Sequence, residues 1–197
     1  LMDELTKRYP QILFEGCSGG GGRFDAGILY YMPQIWPSDN NDPIERLKVQ
    51  YGTSLAYPIS AITAHVGVSP DQLLGRYTPM KTRGAVASSG TLGYELDASK
   101  LSKEDLAKIK QQVVFYKQHR QLIQYGHFYR LESPFETNNT AWMFGSPDKS
   151  EALLCNFVVL GQIQSDYHFT KLVGLDPNRQ YVEQDKGHHF GGDELMN

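Results

Sequence analysis

The chain has 197 residues, 40% of them hydrophobic and 21% charged, with a formal net charge of -3. That is the balance of a globular protein with one sizeable core or two small ones. Lys and Arg are scattered without a basic run, which argues against nucleic acid as a partner, and no apolar stretch approaches the roughly 20 residues of a membrane span.

The opening LMDELTKRYP reads as the last turns of a helix, with Leu1, Leu5 and Tyr9 on one side, stopped before Pro10. QILFEG is a short apolar strand that runs into Cys17, Ser18 and four glycines, Gly19 to Gly22. MPQIWPSD repeats the plan, an apolar run followed by polar residues. A clean helix start comes next: Asp42 caps, Pro43 takes the first helical position and Glu45 completes an Asp-x-x-Glu box. Ile44, Leu47, Tyr51 and Leu55 supply its apolar spacing, up to Pro58. ISAITAHVGV and GTLGYELD are a third and a fourth strand.

The strongest helix begins at Ser102, an N-cap with Asp105 three residues on and Leu101 and Leu106 placed as a hydrophobic staple. Its buried stripe is expected at Leu106, Ile109, Val113, Tyr116 and Ile123, with Gly126 closing it. From His127 the period changes to two, and HFYRLES, TAWMFGS, EALLCNFVVLG and YHFTKLVGL are expected strands. The fold class is therefore α/β plus all-β. Residues 1–125 alternate strand and helix, as in a parallel sheet or part of a barrel, and residues 126–197 form an antiparallel β domain. The first residues and the closing FGGDELMN both read as cut, as in a piece of a longer protein.

Ligands of parallel α/β folds sit at the C-terminal ends of the strands. The glycines after ILFEG and the carboxylate after QIWPS fall there. Gly19 to Gly22 let the backbone approach a ligand with free N–H groups, although a plain turn uses the same residues. A phosphate loop is excluded, since neither GxxxxGKS/T nor a GxGxxG opening a helix is present. Asp39 is the stronger candidate. A carboxylic acid beside the face of Trp36 can serve as a general acid, and Asp42 is the better helix cap, which leaves Asp39 without a structural duty. The DNND run fails the EF-hand pattern, with Pro43 where a ligand should stand.

His65 reads as a core or rim histidine. His188 and His189 are adjacent, so a strand would point them to opposite faces, and turn surface is the better reading than a metal pair. No metal and no cofactor are expected. Asn138 opens a glycosylation sequon that matters only in a secreted chain, and no GxSxG elbow is present. Cys17 has no identifiable partner histidine and reads as a small polarisable pocket wall. Cys17 and Cys155 make no CxxC, and no signal-peptide pattern opens the chain. Both fit a reducing, cytoplasmic setting.

LFEGCSGGGGRFD and QIWPSDNNDPIERLKVQYGTSLAYP closely resemble the α-galactosidases of glycoside hydrolase family 36, in particular the bacterial enzymes of the lactobacillus and bacillus type. GHFYRLESPF and FGGDELMN are similar to the family's C-terminal region, so the likeness runs over essentially the whole chain. Pro37 departs from the pattern, which has a small polar residue before Ser-Asp. The resemblance implies the second half of a (β/α)8 TIM-type barrel followed by a C-terminal antiparallel β-sandwich. It also implies a retaining mechanism that releases terminal α-linked galactose from melibiose- and raffinose-type sugars.

On that resemblance Asp39 is the general acid/base, and Cys17, Ser18, Gly19 and Gly20 form the loop against the galactose ring, with Trp36 beside them. The family's nucleophilic Asp lies in a Lys-Trp-Asp motif that this chain lacks, so the isolated chain is expected not to complete the covalent step. Half a barrel leaves an apolar strand edge open, which implies a homo-oligomer. A related α-N-acetylgalactosaminidase or galactosyl transferase, and a non-catalytic carbohydrate-binding or assembly module, stand as alternatives.

Overall fold

The structure is a computed structural model that describes residues 1–161, 163 and 167–197. It divides into two compact units, Leu1–His119 and Arg120–Asn197. No helix among the described residues is long and apolar enough to cross a membrane.

The first unit opens with α1 (Met2–Arg8), which ends before Pro10 as the sequence predicts and buries no residue. Two very short strands follow, β1 (Glu15–Gly16) and β2 (Gln34–Ile35), separated by the single turns α2 (Ser18–Gly21) and α3 (Ala26–Leu29). After α4 (Pro43–Thr53) come β3 (Thr63–Gly67), α5 (Met80–Ala87) and β4 (Thr91–Glu95). The pairs β1–β2 and β3–β4 are parallel, and a parallel bridge from Ile35 to Ile62 joins them. The strands thus lie side by side in chain order, with α4 and α5 as crossovers.

In β3 alternate side chains divide between two faces. Ala64 and Val66 pack with Met80 and Ala87 of α5, and Leu92, Tyr94, Leu101 and Ile109 close that core. His65 points the other way, toward Trp36. The sequence reading missed α5. Its interior Gly84 looks like a breaker, but a methyl group there would overlap the Gln112 amide. Gln112 donates to Met80 O at 2.9 Å and accepts from the Tyr94 hydroxyl at 3.0 Å.

Helix α4 starts where expected. Asp42, 0% exposed, accepts from the N–H groups of Ile44 and Glu45 at 3.0 and 3.1 Å. The reciprocal half of the box is made differently, because the Asp42 N–H donates to Asn40 Oδ1 at 2.9 Å. The apolar stripe is also corrected. Leu55 is exposed, and the buried face is Pro43, Arg46, Leu47 and Gln50. Asp42 further pairs with Arg76 at 2.5 Å. Asp42→Ala is therefore expected to lower stability by about 2 kcal/mol, read as a lower urea midpoint at unchanged m.

Helix α6 (Lys103–Tyr125) carries the predicted cap, with the Asp105 N–H donating to Ser102 Oγ at 3.0 Å. Leu106 is exposed rather than part of the stripe. Gly126 follows the helix, but what it supplies is room: a methyl group there would overlap Leu122 O.

The second unit holds an antiparallel sheet of β5 (His127–Glu132), β6 (Asn139–Gly145) and β7 (Ala152–Val158), with β6 in the centre. Ala141, Trp142, Met143 and Phe144 of β6 are all fully buried, so both faces of the strand are covered. A hairpin of β8 (Gln180–Val182) and β9 (His189–Gly191) and the short α7 (Gly192–Met196) follow. YHFTKLVGL, expected as a strand, is not one. His168 and Thr170 reach Glu132 of β5 through their side chains, and Asn156 of β7 donates to Thr170 Oγ1 at 3.2 Å. Side-chain bonds hold this segment where a ladder was expected.

Candidate active site

Because β1 and β2 are parallel neighbours, the loops leaving their C-terminal ends emerge side by side. The Trp36 N–H donates to Gly16 O at 2.7 Å and carries the pairing one residue past β2. Beyond Gly16 the chain winds into α2, one turn in the left-handed region. The φ values are 55° at Ser18, 67° at Gly19, 75° at Gly20 and 92° at Gly21, and the Gly21 N–H donates to Cys17 O at 2.9 Å. Each residue with a Cβ costs roughly 1–2 kcal/mol there, so only Ser18 carries that strain.

The glycines also provide close approach. A methyl group on Gly20 would lie 3.1 Å from Asp39 N, Cγ and Oδ2, and one on Gly21 would overlap the Pro37 carbonyl. The Cys17–Gly22 loop therefore lies directly on the Pro37–Asp39 loop. Cys17 is exposed with a free thiol, Ser18 and Gly19 are exposed, and Gly20 is half-buried.

Asp39 is exposed, and its Oδ1 accepts from Trp36 Nε1 at 3.0 Å. The indole thus presents its N–H edge to the acid, not the face that the sequence reading assumed. The Trp36 ring, 8% exposed overall, is occupied by other groups. The Arg46 guanidinium stacks on it at 4.2 Å, and the His65 ring lies 4.5 Å away, tilted by 39°.

Beside Asp39 opens a cleft of about 190 Å³ whose lining includes Asn41, Gly67, Asp71, Gln72 and Glu95. Asn41 Nδ2 donates to Glu95 Oε2 at 2.7 Å. His65 Nδ1 stands 3.6 Å from the same oxygen, too far for a hydrogen bond, and is buried without a hydrogen-bond partner among the described residues. Gly93 makes room for that ring, since a methyl group there would overlap it. Asp71 is a turn carboxylate that accepts from the N–H groups of Leu73 and Leu74, both at 2.9 Å. His188 and His189 lie in the other unit, His188 3.2 Å from Glu183 Oε2 and His189 in β9.

Asn41, Glu95 and above all Arg46 were not singled out from the sequence. The one signal for Arg46 is position, one turn after the Asp42 cap and next to Leu47 on the face that turns inward.

A carboxylate and a left-handed glycine turn thus stand together at the C-terminal ends of adjacent parallel strands beside an open cleft, the place where ligand sites of parallel α/β folds lie. Residues 1–126 match the sequence model of the Melibiase family, and residues 139–197 match that of the glycosyl hydrolase family 36 C-terminal domain. The chain belongs to this family. It is 57% identical over 196 residues to alpha-galactosidase AgaA of Geobacillus stearothermophilus, and 59% identical over 196 residues to alpha-galactosidase 1 of Pediococcus pentosaceus. All of this chain is covered in both alignments, but it spans only 27% of either relative's length. Among solved structures, a variant of AgaA in complex with raffinose superposes with a TM-score of 0.97 at 56% identity, covering 99% of this chain and 27% of that one.

Proposed function

We propose that the chain forms the acid/base side of a retaining α-galactosidase site acting on terminal α-linked galactose of raffinose- and melibiose-type sugars. The observation that carries this is the packing of Gly20 on Asp39, so close that an added methyl group would lie 3.1 Å from it, which puts the exposed acid and the Cys17–Gly20 loop on one rim. In this reading Asp39 protonates the glycosidic oxygen and later activates water. Cys17, Ser18, Gly19 and Gly20 meet the galactose ring, while Trp36 borders it and chiefly holds Asp39. The relatives are α-galactosidases, and one was captured with raffinose, which supports the substrate class.

The parallel strands are read as the second half of a (β/α)8 barrel ending at residue 125. The antiparallel unit is read as part of a β-sandwich, in keeping with the covered faces of β6. The two free cysteines fit a cytoplasmic setting, and self-association through the open strand edge completes the proposal.

A retaining mechanism needs a second carboxylate about 5 Å from the first. The other carboxylates lining the cleft are engaged, Asp71 in its turn and Glu95 with Asn41. The family resemblance puts the nucleophile in a Lys-Trp-Asp motif that these 197 residues lack, so it is assigned outside them. The isolated chain is expected not to turn over an aryl α-galactoside, and measurable turnover would contradict that assignment. The function itself is tested by a hybrid in which these 197 residues replace the matching segment of AgaA. It should hydrolyse raffinose, and a folded but inactive hybrid would overturn the proposal. In that hybrid Glu95→Gln should keep most of the turnover. A loss as large as that from Asp39→Asn would make Glu95 the second catalytic carboxylate.

A further inference from the structure

Arg46 is 2% exposed on the inner face of α4. Among the described residues it has no carboxylate within ion-pair distance, and neutral groups hold its guanidinium. Nε donates to Asn40 O at 2.8 Å, Nη2 to Ser38 O at 2.9 Å and to Asn41 Oδ1 at 3.2 Å, and Nη1 to Thr63 O at 3.3 Å. A charge removed from water needs such acceptors, and three of the four flank Asp39 in the segment 38–41. The same guanidinium lies 4.2 Å over the Trp36 ring, whose Nε1 donates to Asp39 Oδ1. Burial pulls the Arg46 guanidinium down to about 10, with Glu95 and Asp39 drawing it partly back, so it is cationic at neutral pH.

We propose that Arg46 is the positioning residue of the acid: through the 38–41 backbone and the Trp36 ring it fixes where the Asp39 carboxylate stands. The catalytic meaning of this rests on the reading of Asp39 given above, whereas its structural content does not. A planar fork reaches several acceptors while its face lies on an indole, and the compact ammonium of lysine does not.

Solvent exchange of the indole N–H groups in the 197-residue chain tests this. The chain has two tryptophans, and Trp142, 0% exposed in β6, serves as the internal reference. Arg46→Lys is expected to speed exchange at Trp36 about tenfold, the scale of one hydrogen bond to a charged group, toward the rate in Asp39→Ala. Trp142 should not change. An unchanged Trp36 rate in folded Arg46→Lys overturns the proposal. Should that variant unfold the first unit, Asn41→Ala decides, because it removes one acceptor and leaves the three carbonyls. It is expected to speed Trp36 exchange about threefold, and no change overturns the proposal. If Trp36 responds but Asp39→Asn leaves the hybrid's turnover intact, the reading of Asp39 fails and the catalytic meaning of Arg46 falls with it, while its hold on the Asp39 side chain stands. If Asp39→Asn abolishes turnover while Trp36 does not respond, the inference about Arg46 alone fails.

Discussion

Asp39→Asn in the hybrid enzyme should lower kcat on raffinose by about 10²–10⁴-fold, the usual contribution of a positioned acid/base. Asparagine is isosteric, and its side-chain oxygen can still accept from Trp36 Nε1, as Asp39 Oδ1 does at 3.0 Å. The fold should therefore survive the change. What is lost is the proton. A sugar leaving group needs that proton to depart, whereas a nitrophenolate does not, so an aryl α-galactoside should be spared in the first step. The second step still needs a base to activate water. The variant should consequently release a burst of nitrophenol and then slow, because the galactosyl-enzyme accumulates. Equal losses on raffinose and on the aryl substrate, with no burst, would place Asp39 outside proton transfer.

Gly21→Ala should be the most disruptive single change in the glycine run. Its φ of 92° lies in the region that side chains avoid, and its new methyl group would meet the Pro37 carbonyl, a backbone atom that no rotamer change can move. The left-handed penalty alone is roughly 1–2 kcal/mol, and a forced separation of the two loops raises the total to about 3 kcal/mol. Gly20→Ala meets the Asp39 side chain at 3.1 Å. The carboxylate can move although Asp39 N, equally close, cannot, so a loss of about 2 kcal/mol should come with a disproportionate drop in hybrid turnover as the carboxylate is pushed aside. Gly19 has nothing within 4 Å of an added methyl group, so Gly19→Ala should show only the left-handed penalty. Urea unfolding of the three variants, with raffinose turnover of the matching hybrids, measures the gradient. Three equal losses would mean that the contact with the Asp39 loop is unimportant.

Local chemistry was well marked in the sequence. The Asp42 and Ser102 caps were legible because a cap is a short-range bond between a side chain and the next turn's N–H groups. Asp39 stood out as an acid without a cap to make. The left-handed turn was less legible, since four glycines permit that conformation without demanding it. Arg46 and the Asn41–Glu95 bond were not legible, because their partners come from distant elements: Thr63 opens β3, and Glu95 ends β4. The orientation of Trp36 was misread for the same reason. Its face is taken by Arg46 and His65, from α4 and β3, which leaves only the N–H edge for Asp39. Residues 167–175 have strand-like composition, but what ties His168 and Thr170 to Glu132 and Asn156 is side-chain bonding, which composition does not reveal.

A crystal structure of the Asp39→Asn hybrid with raffinose is the most direct measurement. The predicted result is one galactose ring touched on one side by the Cys17–Gly20 loop, with the amide that replaces the Asp39 carboxylate within about 3.2 Å of the oxygen linking galactose to the remainder of the sugar. A galactose bound with that amide pointing elsewhere, or bound away from the glycine turn, would contradict the assignment of this rim as the acid side of the site.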